Sequence, residues 1–437
     1  MESDTGARDA DERFAEEARA AGLSLPTARR LDLRLATVVI AVLVVGSLVV
    51  GYETNWLNLN RPPPNPLAAL PGCSDGGISV SVETEAGASA SLASAWPALA
   101  SAFASATGNC LSVTAGASPS GLASLAGMTV DAVVGPVVPG PSNEASLAAA
   151  TYDVPLLVSP LVVLANVGGS PAQLNLTSGA LAGVYLGTVT SWSDPALTSA
   201  NPGLHSDLAV TPVHLAGPSA ADALFTTYLA ERNGTFRSAI GSGANVTWPV
   251  GRTASASNVT AVVMSTPGAI GFEPTDVCPY LPMGVVCAAV QAGPETFADP
   301  TSSEVAAAAD LEANSSSALA GGWANVSGVA PANSTVYPMV ETTFAIVYRD
   351  LGTSYGPLLG LNQSKWLVAL LFWVASDTAG AAGRLAETAG YSSLPGAMAI
   401  AAEETALNVT YLGNWILLPA GALQEGTSDG GNETGEF

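Results

Sequence analysis

Unbroken apolar runs and short alternating ones divide this chain into segments of different kinds. Leu35 to Tyr52 is an uninterrupted apolar run of 18 residues, bounded by Arg34 and Glu53. A helix of that length is about 27 Å long, which is enough to cross the apolar core of a bilayer. The run therefore predicts one transmembrane helix near the N-terminus.

Beyond this run, short apolar stretches alternate with longer helical patterns. Ile78 to Val82 and Leu111 to Thr114 predict strands, and a helix is predicted between them from about Leu92 to Ala106. Pro155 to Asn166 predicts one long apolar strand. Strands that alternate with helices are typical of an α/β fold with buried parallel strands.

Charged residues around the long apolar run predict its direction. Arg29, Arg30 and Arg34 precede it, whereas Arg61 is the only nearby cation after it. Cytoplasmic flanks carry the excess of basic residues, so we expect a cytoplasmic N-terminus and a large extracellular domain on a single-pass membrane protein. The charged flanks argue against a buried core helix, and the length of the run argues against a cleaved signal peptide.

The cysteines agree with this topology, because all four lie beyond the apolar run, where disulfides persist. Cys278 and Cys287 bracket a proline-containing loop, and we expect them to pair, which leaves Cys73 with Cys110. The chain has no Cys-x-x-Cys spacing and two histidines, so we expect no metal site and no cofactor.

Glycosylation sequons point the same way. Ten of the nineteen asparagines begin Asn-x-Ser/Thr, and none of the ten precedes the apolar run. This exceeds what the Ser/Thr-rich composition accounts for and predicts a glycosylated extracellular surface. The expected sites are Asn175, Asn233, Asn245, Asn258, Asn314, Asn325, Asn333, Asn362, Asn408 and Asn432.

Charge restricts the partners. The net charge is −23, and the acidic residues are spread along the chain. Nucleic-acid binding requires a clustered basic patch, so we do not expect it, and the charge also disfavours docking on an anionic lipid face. An apolar content of 48% is too high for disorder over most of the length. An acidic globular body is predicted.

A series of short motifs in a fixed order gives a more specific indication. The motifs are Leu181-Ala-Gly-Val-Tyr-Leu-Gly187, Trp192-Ser-Asp-Pro195, Asn201-Pro-Gly203, Trp248-Pro-Val-Gly251, Thr266-Pro-Gly-Ala-Ile-Gly271, Glu341-Thr-Thr-Phe344 and Tyr391-Ser-Ser-Leu-Pro395. From roughly Ile78 to Gly413 the chain resembles the PstS-type phosphate-binding receptors of ABC importers. The resemblance implies a type II periplasmic-binding fold, in which two α/β lobes are joined by a two-strand hinge and hold the ligand in a cleft.

The anchor and the resemblance together predict the organisation of the chain. The expected segments are a cytoplasmic tail (1–34), the transmembrane helix (35–52), a proline-rich spacer (53–76), a first lobe (77–157 and 337–420), a second lobe (158–336) and a disordered tail (421–437).

The family holds its ligand with four loops, and the resemblance locates three that keep donor groups. In the first loop these are the Ser89 hydroxyl and the Ala90 backbone N–H, and in the second the Ser118 hydroxyl. Ser219 and Ala220 belong to the fourth loop. Such loops lead into helix N-termini, whose unpaired N–H groups and positive dipole end hold an oxyanion.

Other loop positions depart from the family. In the third loop, Pro136 stands where the family has a proton-accepting carboxylate. In the fourth, Leu215, Gly217 and Ala221 stand where the family has arginine, aspartate and threonine. Ser219-Ala-Ala-Asp222 also fits a capping box that satisfies its own helix, and the other serines fit ordinary caps.

Two functions follow as expectations. The first is a solute-binding receptor that takes phosphate or another small oxyanion or polar solute and delivers it to an ABC permease. The second is a surface or adhesion module that keeps the fold without the ligand. We do not expect an enzyme, because the chain has no nucleophile elbow, and His205 and His214 lack a motif context.

Overall fold

A computed structural model describes most of the chain beyond residue 65. The chain divides into two units, Met1–Asn65 and Pro66–Phe437, and all the described residues belong to the second. The predicted tail, the transmembrane helix 35–52 and the C-terminal tail lie outside them. The described residues are 66–70, 78–85, 90–108, 111–118, 121–136, 145–169, 173–255, 258–275, 277–314, 328–377 and 380–417.

Helices and strands alternate along this unit, as the hydrophobic pattern predicts. The helices are α1 (Ala90–Thr107), α2 (Gly121–Ala126), α3 (Ala145–Ala150), α4 (Ser178–Leu186), α5 (Pro195–Thr198), α6 (Ala220–Arg232), α7 (Gly234–Ala239), α8 (Val259–Ser265), α9 (Ser302–Ala313), α10 (Leu351–Tyr355), α11 (Leu361–Ser376), α12 (Ala381–Thr388) and α13 (Gly396–Leu407). The strands are β1 (Ile78–Glu85), β2 (Leu111–Ser118), β3 (Ala132–Gly135), β4 (Thr151–Pro160), β5 (Val162–Asn166), β6 (Asn175–Leu176), β7 (Thr211–Leu215), β8 (Arg252–Ala254), β9 (Ala269–Glu273), β10 (Val285–Cys287), β11 (Ala289–Gln291), β12 (Phe297–Ala298), β13 (Val340–Tyr348), β14 (Ser392–Ser393), β15 (Thr410–Tyr411) and β16 (Asn414–Trp415).

A six-stranded sheet in the order β14-β4-β13-β3-β1-β2 forms the first lobe. β1 runs parallel to β2 and β3, whereas β13 is antiparallel to β3 and β4. Helix α1 buries Trp96, Leu99 and Phe103, which recur at helical spacing on one face. Phe103 packs edge-on against Trp366 of α11, at a centroid distance of 6.1 Å, so these two helices share one core.

A five-stranded sheet in the order β10-β5-β9-β7-β8 forms the second lobe. β7 runs parallel to β8 and β9, and β5 is antiparallel to β9. Smaller sheets, β12-β11-β6 and the hairpin β15-β16, complete the unit. The α/β fold class is therefore confirmed, with one buried sheet in each lobe.

The segment predicted as one strand from Pro155 to Asn166 is two strands that belong to different sheets. β4 ends at Pro160 and β5 begins at Val162, so the chain passes from one lobe to the other at Leu161. The Leu161 N–H donates to Met339 O at 3.0 Å, and β13 starts at the next residue, Val340. The two segments that connect the lobes, around Leu161 and Met339, thus run side by side and form the two-strand hinge that the resemblance implies.

The motifs of the second lobe act mainly as scaffold. Trp192 Nε1 donates to Gly268 O at 3.0 Å, and Gly268 has a φ of 82° and lies against the backbone of Ala209. A side chain at position 268 would meet that backbone, so this position requires glycine. The Trp248 ring packs against Tyr185 at a centroid distance of 5.1 Å. These motif residues therefore occupy core and turn positions of the second lobe.

Two further expectations concern disulfides and membrane helices. Cys278 and Cys287 form the expected disulfide, whereas Cys73 and Cys110 lie outside the described residues. Across the described ranges, no single helix combines the length and the apolar character that a membrane crossing needs; α11 and α12 meet both conditions as a pair, which is bent by 76°.

Candidate functional site

The carboxyl ends of the parallel strands in the first lobe lie at one edge of its sheet. β1, β2 and β3 end at Glu85, Ser118 and Gly135, and the parallel register places these ends side by side. Helices α1 and α2 begin within a few residues of β1 and β2, at Ala90 and Gly121. The N-termini of both helices therefore lie at this edge, which is where ligands of open α/β sheets bind.

The second lobe presents the same kind of edge. β7 ends at Leu215, and α6 begins at Ala220 directly after it. β9 ends at Glu273, which lies opposite Val162, the first residue of β5. Because β4 of the first lobe leads into β5 at this point, the carboxyl edges of the two sheets face each other across the hinge. The candidate site is the space between these edges.

The expected binding residues fall on both edges. Ala90 is the first residue of α1, Ser118 is the last residue of β2, and Ser89 lies outside the described residues. Ser219 is the N-cap of α6, and Ala220 is the first residue of that helix. The topology thus brings the first, second and fourth loops to facing edges. Their contact with a ligand remains a prediction.

Ser219 caps its own helix and forms one of the two hydrogen bonds of a capping box. Its Oγ accepts a hydrogen bond from the Asp222 N–H at 2.9 Å, with an extended Ser219 backbone (φ −149°, ψ 151°). The reciprocal bond is absent, because the Ser219 N–H donates to Ala244 O at 2.9 Å. The cap therefore uses one lone pair of the hydroxyl, which has an O–H donor as well.

The positions that depart from the family have local structural roles. Leu215 is buried at the end of β7, and Ala221 is buried in the first turn of α6. Gly217 has a φ of 82° with open space around it, and Pro136 directly follows β3. The six arginines and lysines within the described ranges all lie outside the four loops. This leaves the loops without a cation for an anionic ligand.

Buried carboxyl groups at the facing edges were missed by the sequence reasoning. Asp222, Glu273 and Glu341 are 2%, 6% and 6% exposed. Burial raises the pKa of Asp222 to about 7, although a hydrogen bond with Ser219 acts in the opposite direction. Asp222 Oδ1 has no hydrogen-bond partner in the described part of the chain. Protonation at neutral pH reduces the cost of leaving this group buried.

Glu273 and Glu341 form a pair at the hinge itself. Burial raises the pKa of Glu273 to about 7, and burial together with the neighbouring Glu273 raises the pKa of Glu341 to about 8. Thr260 Oγ1 donates to Glu273 Oε2 at 3.2 Å. Glu341 lies opposite Ser159 on β4, and its Oε2 finds no partner among the described residues. The sequence feature that the two positions share is a glutamate near one terminus of a buried strand, which by itself does not distinguish them from other strand termini.

The chemistry of the edges is therefore that of neutral donors. The helix N-termini and the Ser219 hydroxyl carry neutral N–H and O–H groups, and the three buried carboxyl groups are neutral as well when they are protonated. A small solute with acceptor oxygens fits such a site. Charge-assisted bonds from arginine, which are about twice as strong as neutral ones, are missing.

Comparison with known proteins identifies relatives of this arrangement. Residues 79–378 match the family model of the PBP superfamily domain. The phosphate-binding protein PstS of Xylella fastidiosa is 27% identical over 216 residues, which cover 48% of this chain and 56% of the relative. PstS of Methanocaldococcus jannaschii is 26% identical over 236 residues, covering 51% and 59%. The chain thus spans little more than half the length of these relatives.

Solved structures share the fold. A DING protein superposes with a TM-score of 0.55 at 15% identity, over 74% of this chain and 93% of the other. A phosphate-binding protein from Stenotrophomonas maltophilia gives a TM-score of 0.52 at 15% identity, over 75% and 93%. At this level of identity the similarity establishes the two-lobed architecture.

Proposed function

The chain belongs to the PBP superfamily, as a relative of the PstS-type phosphate-binding proteins, and we propose that it is a solute-binding receptor for phosphate or another small oxyanion or polar solute. The observation that carries the proposal is the pair of facing edges. Helices α1 and α2 begin at the carboxyl edge of one sheet, and α6 begins at the carboxyl edge of the other. A receptor of this kind binds without catalysing a reaction and delivers its solute to an ABC permease.

The missing side chains determine the expected selectivity. Charge-assisted hydrogen bonds contribute about 1.5–3 kcal/mol each, so replacing the family's arginine by Leu215 lowers the affinity for any anion. Pro136 in place of the carboxylate removes the acceptor that rejects fully ionised anions. We therefore expect sulfate and phosphate to bind with similar affinity, and both more weakly than a site with an arginine would allow.

Titration calorimetry on the full chain in detergent micelles tests the proposal. Phosphate, sulfate and small neutral polar solutes are titrated in turn, at pH 6 and at pH 8. Saturable heat with at least one of them is expected. No heat and no thermal shift with any of them would refute the receptor and favour the second candidate, the surface module that keeps the fold.

A pair of variants tests the placement of the third loop. Pro136→Asp restores a carboxylate at the position where the family has one, and Pro136→Asn is the matched control of similar size without charge. We expect P136D to favour phosphate over sulfate about tenfold, since a carboxylate accepts the proton of hydrogen phosphate and repels sulfate. Equal selectivity in P136D and P136N would show that this loop does not contact the ligand.

The surface-module candidate rests on one specific observation, which is the use of Ser219 as a helix cap beside a buried carboxyl group. If the loops only cap their own helices, substitutions in them alter the stability of the protein, and no solute binding is observed in the wild type or in the variants. The calorimetric experiment separates the two candidates directly.

We also propose that residues 35–52 anchor the receptor in the membrane with the described unit outside. The cationic flank before the run and the disulfide between Cys278 and Cys287 support this topology. Protease treatment of intact cells is expected to remove the described unit and to leave the N-terminal tail protected. Recovery of the whole chain in the soluble fraction after lysis would refute the anchor.

A further inference from the structure

A tight hairpin at the outer end of the first lobe displays large apolar side chains. β13 runs from the hinge to Tyr348, and the following residue pair leads to Asp350, which bridges to Thr410 at the start of the hairpin β15-β16. The two-residue turn consists of Leu412 and Gly413, with φ of 51° and 77°. This end of the lobe lies away from the hinge and from the candidate solute site.

Three exposed apolar side chains share one groove at this end. Leu361, Leu412 and Trp415 are 43%, 62% and 59% exposed. With Lys365, the single lysine of the chain, we name them the hairpin patch. All four residues line a groove of about 580 Å³. Isolated exposed leucines are common, but a group of this kind marks an interaction surface.

The display of Leu412 is maintained against local strain. Leucine rarely adopts a left-handed backbone, and at the first position of such a turn Asn, Asp or Gly is favoured. The Asp350 carboxylate holds the turn in place, because it accepts hydrogen bonds from the Leu412 N–H at 3.0 Å and the Gly413 N–H at 2.6 Å. It also accepts from the Thr353 N–H at 2.7 Å. A strained turn that is fixed by side-chain bonds and exposes an apolar residue points to a function for that residue.

The course of the chain indicates what covers the patch. Pro66, the first described residue, lines the same groove. The predicted transmembrane run ends at Tyr52, so 13 residues of sequence, 53–65, separate the predicted anchor from Pro66. Thirteen residues span at most roughly 45 Å when fully extended. In a chain anchored by that run, the point where the described unit begins, at this groove, thus stays within roughly 45 Å of the bilayer.

We propose that the hairpin patch docks on the boundary between headgroups and acyl chains of the bilayer that carries the anchor. Tryptophan concentrates at that boundary, leucine side chains enter the acyl region, and a lysine keeps its ammonium group among the headgroups. Because the net charge of the chain is −23, the lipid surface that fits is a neutral, zwitterionic one. The inference rests on the anchor of the proposed function and is independent of the solute.

Fluorescence quenching in nanodiscs tests the docking. The full chain is reconstituted in phosphatidylcholine discs that contain lipid with a nitroxide on its acyl chain, and bimane is attached to a new cysteine in Leu412→Cys or in Met264→Cys. Met264 is 41% exposed, and its carbonyl accepts a hydrogen bond from Asn166 at the outer end of β5, in the other lobe. It is the matched control at the opposite end of the body.

Quenching at position 412 is expected to exceed quenching at position 264 at least fivefold. Replacing Trp415 and Leu361 by serine, in the L412C background, should reduce that quenching to the level of the control. Equal quenching at the two positions, or quenching that the serine substitutions leave unchanged, would overturn the proposal. Quenching that is lost on dilution of the discs, together with dimers seen by mass photometry, would assign the patch to a second copy and overturn it too.

The sequon at Asn362 requires a separate measurement, because it follows Leu361 directly and Asn362 is exposed. The difference in quenching between positions 412 and 264 is measured on the glycosylated chain and on Asn362→Gln. Equal quenching at position 412 in both supports docking of the mature protein, and quenching in N362Q alone would overturn it. A chain that is membrane-inserted but not quenched refutes the docking alone, whereas a chain recovered as a soluble protein refutes the anchor.

Discussion

The buried Glu341 carboxyl group contributes to the pH dependence of the stability of this protein, and Glu341→Gln removes that contribution. Glu341 lies on β13 at the hinge, and its Oε2 has no hydrogen-bond partner within the described residues. Burial and, to a smaller extent, the neighbouring Glu273 raise its pKa from 4.5 to about 8. Glutamine has nearly the same shape and stays neutral at every pH, so the substitution isolates the charge.

The magnitude follows from the linkage between protonation and folding. A pKa of 4.5 in the unfolded chain and about 8 in the folded one differ by about 3.5 pH units. At about 1.4 kcal/mol per unit, this corresponds to about 5 kcal/mol of unfolding free energy. The folded state binds the proton more tightly, so the contribution is fully present below pH 4.5 and is lost as the pH rises through 8.

Urea denaturation of the full chain in detergent, at intervals from pH 4.5 to pH 9, measures the effect. We expect the unfolding free energy of the wild type to fall over this range and that of E341Q to fall by several kcal/mol less. Glu387→Gln is the matched control, because Glu387 is exposed on α12. A pH profile of E341Q that coincides with the wild-type profile would refute the buried, protonated carboxyl group at the hinge.

Three further predictions concern the scaffold, the hairpin and the surface. Gly268→Ala should destabilise the second lobe by at least about 2 kcal/mol in urea denaturation, because a methyl group meets the Ala209 backbone at a positive φ, whereas Gly203→Ala, with open space around it, should change little. Asp350→Ala removes the cap of α10 and the bonds to the hairpin turn, and it should cost about 1–2 kcal/mol and speed amide exchange at residue 413. Glycopeptide mass spectrometry should find Asn175 unmodified, since its side chain donates to Ala200 O and its Oδ1 is buried. Among the described sequons, the modified ones should be the exposed Asn245, Asn258, Asn314, Asn333, Asn362 and Asn408.

The fold was predictable because local pattern and long-range packing agree over most of the chain. The alternation from Ile78 onward gave β1, and the apolar spacing of Trp96, Leu99 and Phe103 suited a helix against that strand. The position of the hinge was harder to predict from the sequence. Pro155 to Asn166 is equally apolar on both sides of Leu161, so nothing in the local sequence marks the point where the chain changes sheets. That point is set by partners more than 170 residues away, such as Met339.

The candidate site shows a different kind of limit. The loops that the resemblance indicates lie next to strand ends, as at Ser118, the last residue of β2, and Pro136, which follows β3, because strand ends are where apolar runs stop. The motif order did not locate Glu273 and Glu341 as neighbours, since the strands that carry them are adjacent only through the hinge crossing. A carboxyl group that ends a buried strand resembles any strand terminus in the sequence. Only the packing of two lobes around it removes the water that would otherwise keep its pKa near 4.5.

This burial also bears on the choice between a receptor and a surface module. A module without a ligand gains nothing from carboxyl groups at the hinge, because uncharged residues of similar size would be more stable there. Their position on the hinge strands is consistent with the proposed receptor, because a closure of its lobes on a solute would bind protons in one arrangement and release them in the other. A solute affinity that changes between pH 6 and pH 8 in the wild type, but not in E341Q, would connect the hinge to binding; identical affinities at both pH values would separate them.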